Sequence, residues 1–138
     1  MSYSLAVRNG DLVKKGSNLD VVWGIDKLKQ DLQCWVTERF GGDRFHPLMG
    51  SILQDYIGSI ISPRTKAEIE DEVMRVMDNY QRVQMYGFKT NPRLYSMAEL
   101  LEDVDDISVN VSFDTISVSV AVRSAARTNA VITVSQGV

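Results

Sequence analysis

Apolar residues recur along this chain at changing periods, and the changes divide it into elements. Tyr3 to Val7 alternate in character, followed by Asn9-Gly10 and then Leu12-Val13-Lys14. Asn-Gly between short β-prone runs is a strong hairpin signal, because both central residues of the favoured turn need positive φ. A hairpin is therefore expected within residues 1–16. Val22, Ile25, Leu28, Leu32, Trp35 and Val36 then recur at helical spacing, with Lys27, Lys29, Gln30, Asp31 and Gln33 off the stripe. With Ser17 and Asn18 as candidate caps, the spacing predicts a first helix over about residues 19–39. Ile52, Leu53, Tyr56, Ile57 and Ile60 predict a second, shorter helix that Ser62-Pro63 breaks. Thr65 to Glu68 has capping-box spacing. Ile69, Val73, Val76, Met77 and Tyr80 then predict a third helix over about 66–82, with Asp71, Glu72, Arg75 and Asp78 mostly on its outer face.

Beyond this the pattern changes. Asn91-Pro92 opens a polar region, residues 84–106 read as an inserted loop, and Ser96 is placed to cap a short helical piece from Met97 to Leu101. From Ile107 the period becomes two. Ile107, Val109, Val111 and Phe113 alternate with polar residues, as do Ile116, Val118 and Val120 after the turn Asp114-Thr115. That is an antiparallel hairpin with one apolar face, and Ala130 to Ser135 forms a further strand. Helices first and strands later predict an α+β fold in a single domain, with no internal repeat.

Composition narrows the possible functions. A chain of 138 residues can bury roughly two-thirds of its unfolded surface in one core. Its net charge of −3 gives no basic footprint for nucleic acid. No apolar run approaches the ~20 residues needed to span a bilayer, and the first ten residues lack the apolar stretch of a signal peptide. The expectation is a soluble protein with neither nucleic-acid nor membrane partners, which leaves its cell only as part of a particle. The lone cysteine, Cys34, excludes an intrachain disulfide framework.

Candidate chemistry is sparse. His46 is the only histidine, so no His-rich metal site is available, and beside Pro47 it reads as a loop-shaping residue. A Cys34–His46 nucleophile pair competes with Cys34 as a small buried hydrophobe in a helix. Glu38 with Asp43 or Asp55 could form the two carboxylates of a glycosidase, or could simply be solvated charges around a loop. Gly41-Gly42 lacks the Gly-Lys-Ser/Thr ending of a phosphate loop. No catalytic residue, cofactor site or metal site is assigned. Arg44 and Arg82 are candidate partner contacts, because a guanidinium makes directional, bidentate bonds to carboxylates.

The most informative stretch is 37–51, Thr-Glu-Arg-Phe-Gly-Gly-Asp-Arg-Phe-His-Pro-Leu-Met-Gly-Ser, a Gly- and Pro-punctuated crossing between two apolar-periodic segments. The order Thr37, Gly41, Phe45, Pro47 and Gly50 resembles the signature loop of the phage T4-type baseplate wedge, or sheath-initiator, family. That family was historically labelled "lysozyme-like" and is shared with contractile injection systems and the type VI secretion baseplate. The chain departs from the pattern where Asp43 stands for an Arg and Met49 for an aromatic. The family's Glu-Pro-Arg motif has only Arg82 near Gln81-Arg82-Val83. The resemblance implies a non-enzymatic virion component in a six-fold tail baseplate, assembled in the host cytoplasm. Its helical part would dock on other wedge proteins, and its sheet would take up strands of the tail sheath or tube protein. The signature loop is expected to fix the angle between the first two helices, with Phe45 packed beneath it. Two alternatives stand beside this reading: a peptidoglycan-cleaving tail enzyme and a small adaptor or regulatory protein on the same fold.

Overall fold

The computed structural model describes residues 3–8, 11–42, 44–57, 62–112 and 114–137. Asn9, Gly10, Asp43, Ile60 and Phe113, used above, lie outside them. The chain begins with six short strands: β1 (Tyr3–Leu5), β2 (Val7–Arg8), β3 (Asp11–Leu12), β4 (Lys14–Lys15), β5 (Asn18–Leu19) and β6 (Val21–Trp23). They pair as β1 with β6, β2 with β3 and β4 with β5, all antiparallel. The expected hairpin is thus one arm of three. The arms meet at a ring of three hydrogen bonds: the Ala6 N–H donates to the Asp20 carbonyl (2.9 Å), Asp20 N–H to the Val13 carbonyl (2.8 Å) and Val13 N–H to the Ala6 carbonyl (3.0 Å). Ser17 and Asn18 belong to the third arm rather than capping a helix.

Helix α1 (Gly24–Thr37) follows and buries Leu28, Leu32, Trp35 and Val36. It starts later than its apolar spacing predicts because Val22, which fits the helical stripe, is already paired in β6. Where a second helix is expected, the chain makes only a 3₁₀ turn, Leu53–Tyr56. There are two α-helices among the described residues, not three. The second, α2 (Pro63–Thr90), is 28 residues long. Ser62-Pro63 does not end a helix but starts this one: the Ser62 side chain accepts from the Thr65 N–H at 3.2 Å, and Pro63 stands in the first turn, where its missing N–H costs nothing. The helix continues through 84–90, which the sequence assigns to a loop.

Two short 3₁₀ turns, Pro92–Leu94 and Met97–Glu99, lead into a three-stranded antiparallel sheet of β7 (Leu101–Val111), β8 (Thr115–Ser124) and β9 (Asn129–Gly137), in that order. The Glu99 carboxylate accepts from the Ser96 N–H at 3.0 Å, so the expected cap is present, on a shorter piece. Strand β7 begins six residues before the period of two becomes visible. Its register with β8 shifts between Leu101 and Asp103 and again between Val104 and Asp106. Each irregularity adds a residue, which spaces Leu101, Val104 and Ile107 by three and hides the strand in an acidic run. Both helices pack their apolar stripes on the sheet face of Val109, Ile116, Val118, Val120, Val122, Ile132 and Val134. Gln84 of α2 fixes the start of β7, donating to the Glu99 carbonyl (2.6 Å) and accepting from the Leu101 N–H (2.8 Å). Trp35 meets Tyr80 edge-on at 5.2 Å, and the Tyr80 hydroxyl donates to Asp31 at 3.4 Å. Burial, and then the Asp31 carboxylate, push the Tyr80 hydroxyl far above its ordinary pKa.

Candidate assembly interface

The chain leaving α1 closes on itself before entering α2. The Phe40 N–H donates to the Ser51 carbonyl (3.0 Å) and the Ser51 N–H to the Glu38 carbonyl (2.8 Å), so residues 39 and 51 sit side by side in parallel. Loop ends this close define an Ω-type excursion over 40–50. Inside it, Gly42 N–H donates to the Arg39 carbonyl and Met49 N–H to the His46 carbonyl, both at 3.0 Å, giving a turn on each side of the tip. Gly41 and Gly50 both have positive φ, +78° and +108°. A Cβ on Gly50 would lie 2.7 Å from backbone atoms of Arg39 and Phe40, so this glycine is required by contact as well as by conformation.

The loop is then tied to its neighbours. The buried Ser51 hydroxyl donates to the Val36 carbonyl at 2.6 Å. The Thr37 carbonyl, at the end of α1, accepts from Gln54 and from Gln136 of β9, each at 3.0 Å. From α2, Glu72 accepts from the Ile52 N–H (3.0 Å), and Arg75 donates to the Gly50 carbonyl (3.2 Å) while bonding Glu72 through two of its nitrogens. The Arg75 guanidinium also lies 4.7 Å above the Phe40 ring. Glu72 is only 7% exposed, which corrects its assignment to the outer face. The sequence does hold a trace of the pair: Glu72 and Arg75 are three apart, so they share a helix face.

The expected signature residues are thus brought into one structure, but not in the expected way. Thr37 contributes its carbonyl, and Gly41 and Gly50 their backbone angles. Pro47 lies in the turn that the Met49 N–H closes on the His46 carbonyl. Phe45 is not packed beneath the loop; it is 89% exposed. It borders an apolar cleft of about 140 Å³, together with Trp35, Pro47, Leu48, Met49 and Val83. A second, open cleft of about 430 Å³ is lined by Glu38, Gly42, Arg44, Phe45 and Met49. Arg44 and Arg82, next in sequence to Phe45 and Val83, are both exposed. The surface is therefore a hydrogen-bonded loop and helix face with outward apolar side chains and cations at its margin.

Asp43 lies outside the described residues. Asp55 is exposed and 3.8 Å from Arg39, and Glu38 is exposed at the cleft. Cys34 is exposed rather than buried, in a groove of about 390 Å³ between α1 and β9. Partial burial of the thiol, then the Asp31 and Glu38 carboxylates, raise its pKa. Alkylation of Cys34 by iodoacetamide at pH 7.5 is accordingly expected to run several-fold slower than for a free cysteine thiol, and to speed up as pH rises. Mass spectrometry of timed samples checks this. Among the described residues no cluster of His, Cys, Asp and Glu is placed to hold a metal, and no helix is long and apolar enough to cross a membrane.

The sheet offers a different kind of surface. Strand β8 is paired on both sides, so its segment 116–122 cannot receive another chain's strand. The outer edges of β7 and β9 pair with no strand among the described residues. On β9, Val131, Thr133 and Ser135 face outward while Ile132 and Val134 enter the core.

No protein-family model and no curated protein sequence matches this chain. Among solved structures, it is similar to a crystal structure from Geobacter sulfurreducens described as a "putative tail lysozyme". The match has a TM-score of 0.57 at 14% identity and covers 82% of this chain and 89% of the other. At that identity the two chains share a fold.

Proposed function

We propose that this chain is a structural baseplate wedge subunit of a phage tail or related contractile injection machine. The helical part and signature loop dock on other wedge proteins in a six-fold assembly, and the β9 edge receives a strand from the first sheath or tube ring. The fold shared with a tail protein over most of both chains carries this reading. The loop supports it. A loop locked by Glu72 and Arg75, yet presenting Phe45 outward, suits a preformed docking surface, in which little is left to order on binding. The unpaired β9 edge, whose residues 133–135 line the groove beside α1, supports strand addition, and an unpaired edge would otherwise favour aggregation.

Cosedimentation with tail particles from producing cells tests the proposal. Arg82→Ala should leave the stability of the isolated chain within about 0.5 kcal/mol, as for most exposed positions, yet reduce incorporation into particles. Unfolding of the isolated Arg82→Ala chain would make Arg82 an internal lock instead. Removing β9 outright would open the core, so its edge is better tested by Val131→Lys with Thr133→Lys. This variant should dock on the wedge but fail to support the sheath. The neighbour's description as a tail lysozyme favours a second reading, peptidoglycan cleavage using Glu38 with Asp43 or Asp55. Lysis of purified cell walls by the wild-type chain, abolished in Glu38→Gln, would establish that reading and displace the first.

A further inference from the structure

The three-armed N-terminal unit is amphipathic in a way that its individual strands do not reveal. Leu5, Leu12 and Leu19 are seven residues apart, and each immediately precedes one of the three junction residues, Ala6, Val13 and Asp20. In each arm the cross-strand pair beside the junction contains one of these leucines: Leu5 opposite Val21, Leu12 opposite Val7, and Leu19 opposite Lys14. Directly opposed residues point to the same side of a strand pair, and residues two apart on a strand share a side. The three inner pairs therefore share one face with the outer pair Tyr3 and Trp23. The outer pairs of the other arms, Arg8 with Asp11 and Lys15 with Asn18, fall on the opposite, polar face.

This apolar face is open to solvent. Tyr3 is 71% and Trp23 54% exposed, and the three leucines are each near 45%. At about 150–250 Å² for a whole aromatic side chain and less for an aliphatic one, the face leaves on the order of 500 Å² open. That is at the upper end of the roughly 300–600 Å² of the largest apolar patch on a monomer, a size that often marks a functional surface. The unit is held by the body, since Gln30 of α1 accepts from the Val7 N–H at 2.9 Å and donates to the Leu5 carbonyl at 2.8 Å.

The charge on the face says what kind of surface covers it. Lys14 is its one ionic side chain. Both carboxylates of the unit are turned to the backbone: Asp11 accepts from the Leu12 N–H (2.8 Å) and Asp20 from the Val21 N–H (2.9 Å). A second copy of this face would thus bring a second ammonium and no carboxylate into the contact. We infer that the face formed by Leu5, Leu12, Leu19, Tyr3 and Trp23 docks a different protein, one that presents an apolar surface with a carboxylate opposite Lys14. The inference concerns a surface separate from the signature loop and does not rest on the tail assignment.

The test places a photo-crosslinking benzoylphenylalanine at Leu12 of the full chain in the cells that make it, with the same group at Lys15 on the polar face as control. A single heterologous adduct is expected from position 12 and none from position 15. Lys14→Glu should lower its yield at least about tenfold, as for a buried interfacial charge pair, and changing the facing carboxylate of the captured protein to Lys should restore it. Absence of an adduct from position 12, equal adducts from both positions, or a yield indifferent to Lys14→Glu would overturn the inference. Two further measurements on the purified chain can also overturn it. One is a dimer in sedimentation equilibrium that Leu12→Asp dissociates, which would make the occupant a second copy. The other is cosedimentation with phosphatidylcholine–phosphatidylglycerol vesicles that Leu12→Asp abolishes, which would make it a lipid surface. Unchanged circular dichroism and thermal unfolding of Leu12→Asp establish that the body is intact, and the face lies outside the main core.

Discussion

Gly50→Val is expected to destabilise the isolated chain by about 3 kcal/mol or more, combining left-handed strain with a backbone clash. At φ +108° a β-branched residue is held far from its allowed regions, and its Cβ would lie 2.7 Å from the Arg39 carbonyl carbon and oxygen and the Phe40 nitrogen. Those atoms cannot give way cheaply, because Arg39 and Phe40 are held against Ser51 by the bond that closes the loop. Gly41→Ala is the internal comparison. Gly41 also has positive φ, +78°, but nothing lies within 4 Å of its Cβ position, so only conformational strain of about 1–2 kcal/mol applies. Denaturant unfolding of the two variants separates them, and equal losses would mean that the close approach at Gly50 relaxes freely.

Glu72→Ala should cost about 2–3 kcal/mol, the range for removing a charged hydrogen-bond partner from a buried site. The carboxylate serves the Ile52 N–H and the Arg75 guanidinium together, and Arg75 in turn holds the Gly50 carbonyl. Glu72→Gln keeps an acceptor for Ile52 and should recover part of the loss. Because Arg75 retains partial solvent access, its own exposure limits the penalty. Hydrogen exchange should locate the effect. Ser51 and Ile52 amides are expected to lose protection in Glu72→Ala while the β8 amides keep theirs, since the sheet ladder does not pass through Glu72. Uniform loss of protection would mean that the loop and the sheet unfold as one unit.

Local pattern alone determined much of this protein. The helical stripes of Leu28 to Val36 and Ile69 to Tyr80, the alternation of Ile116 to Val122 and the strand at 130–135 could all be read from period and burial preference, because each element buries one face on the same core. The special backbone of the signature loop was also legible in Gly41, Pro47 and Gly50, whose chemistry restricts the chain directly. Tertiary structure decided the rest. Two irregularities reset the period of β7 and concealed its first half. The apolar residues 52–57 were too few to sustain a helix once Ser62 and Pro63 had started another. Glu72 became a buried lock because a loop distant in sequence supplied the Ile52 N–H. Phe45 lies exposed beside the cleft of Trp35, Leu48 and Val83, a position that its place in the loop sequence did not foretell. The spacing of Leu5, Leu12 and Leu19 reads as a repeat only when the ring of hydrogen bonds through Ala6, Val13 and Asp20 closes, since no single two- or three-residue strand carries a period of its own.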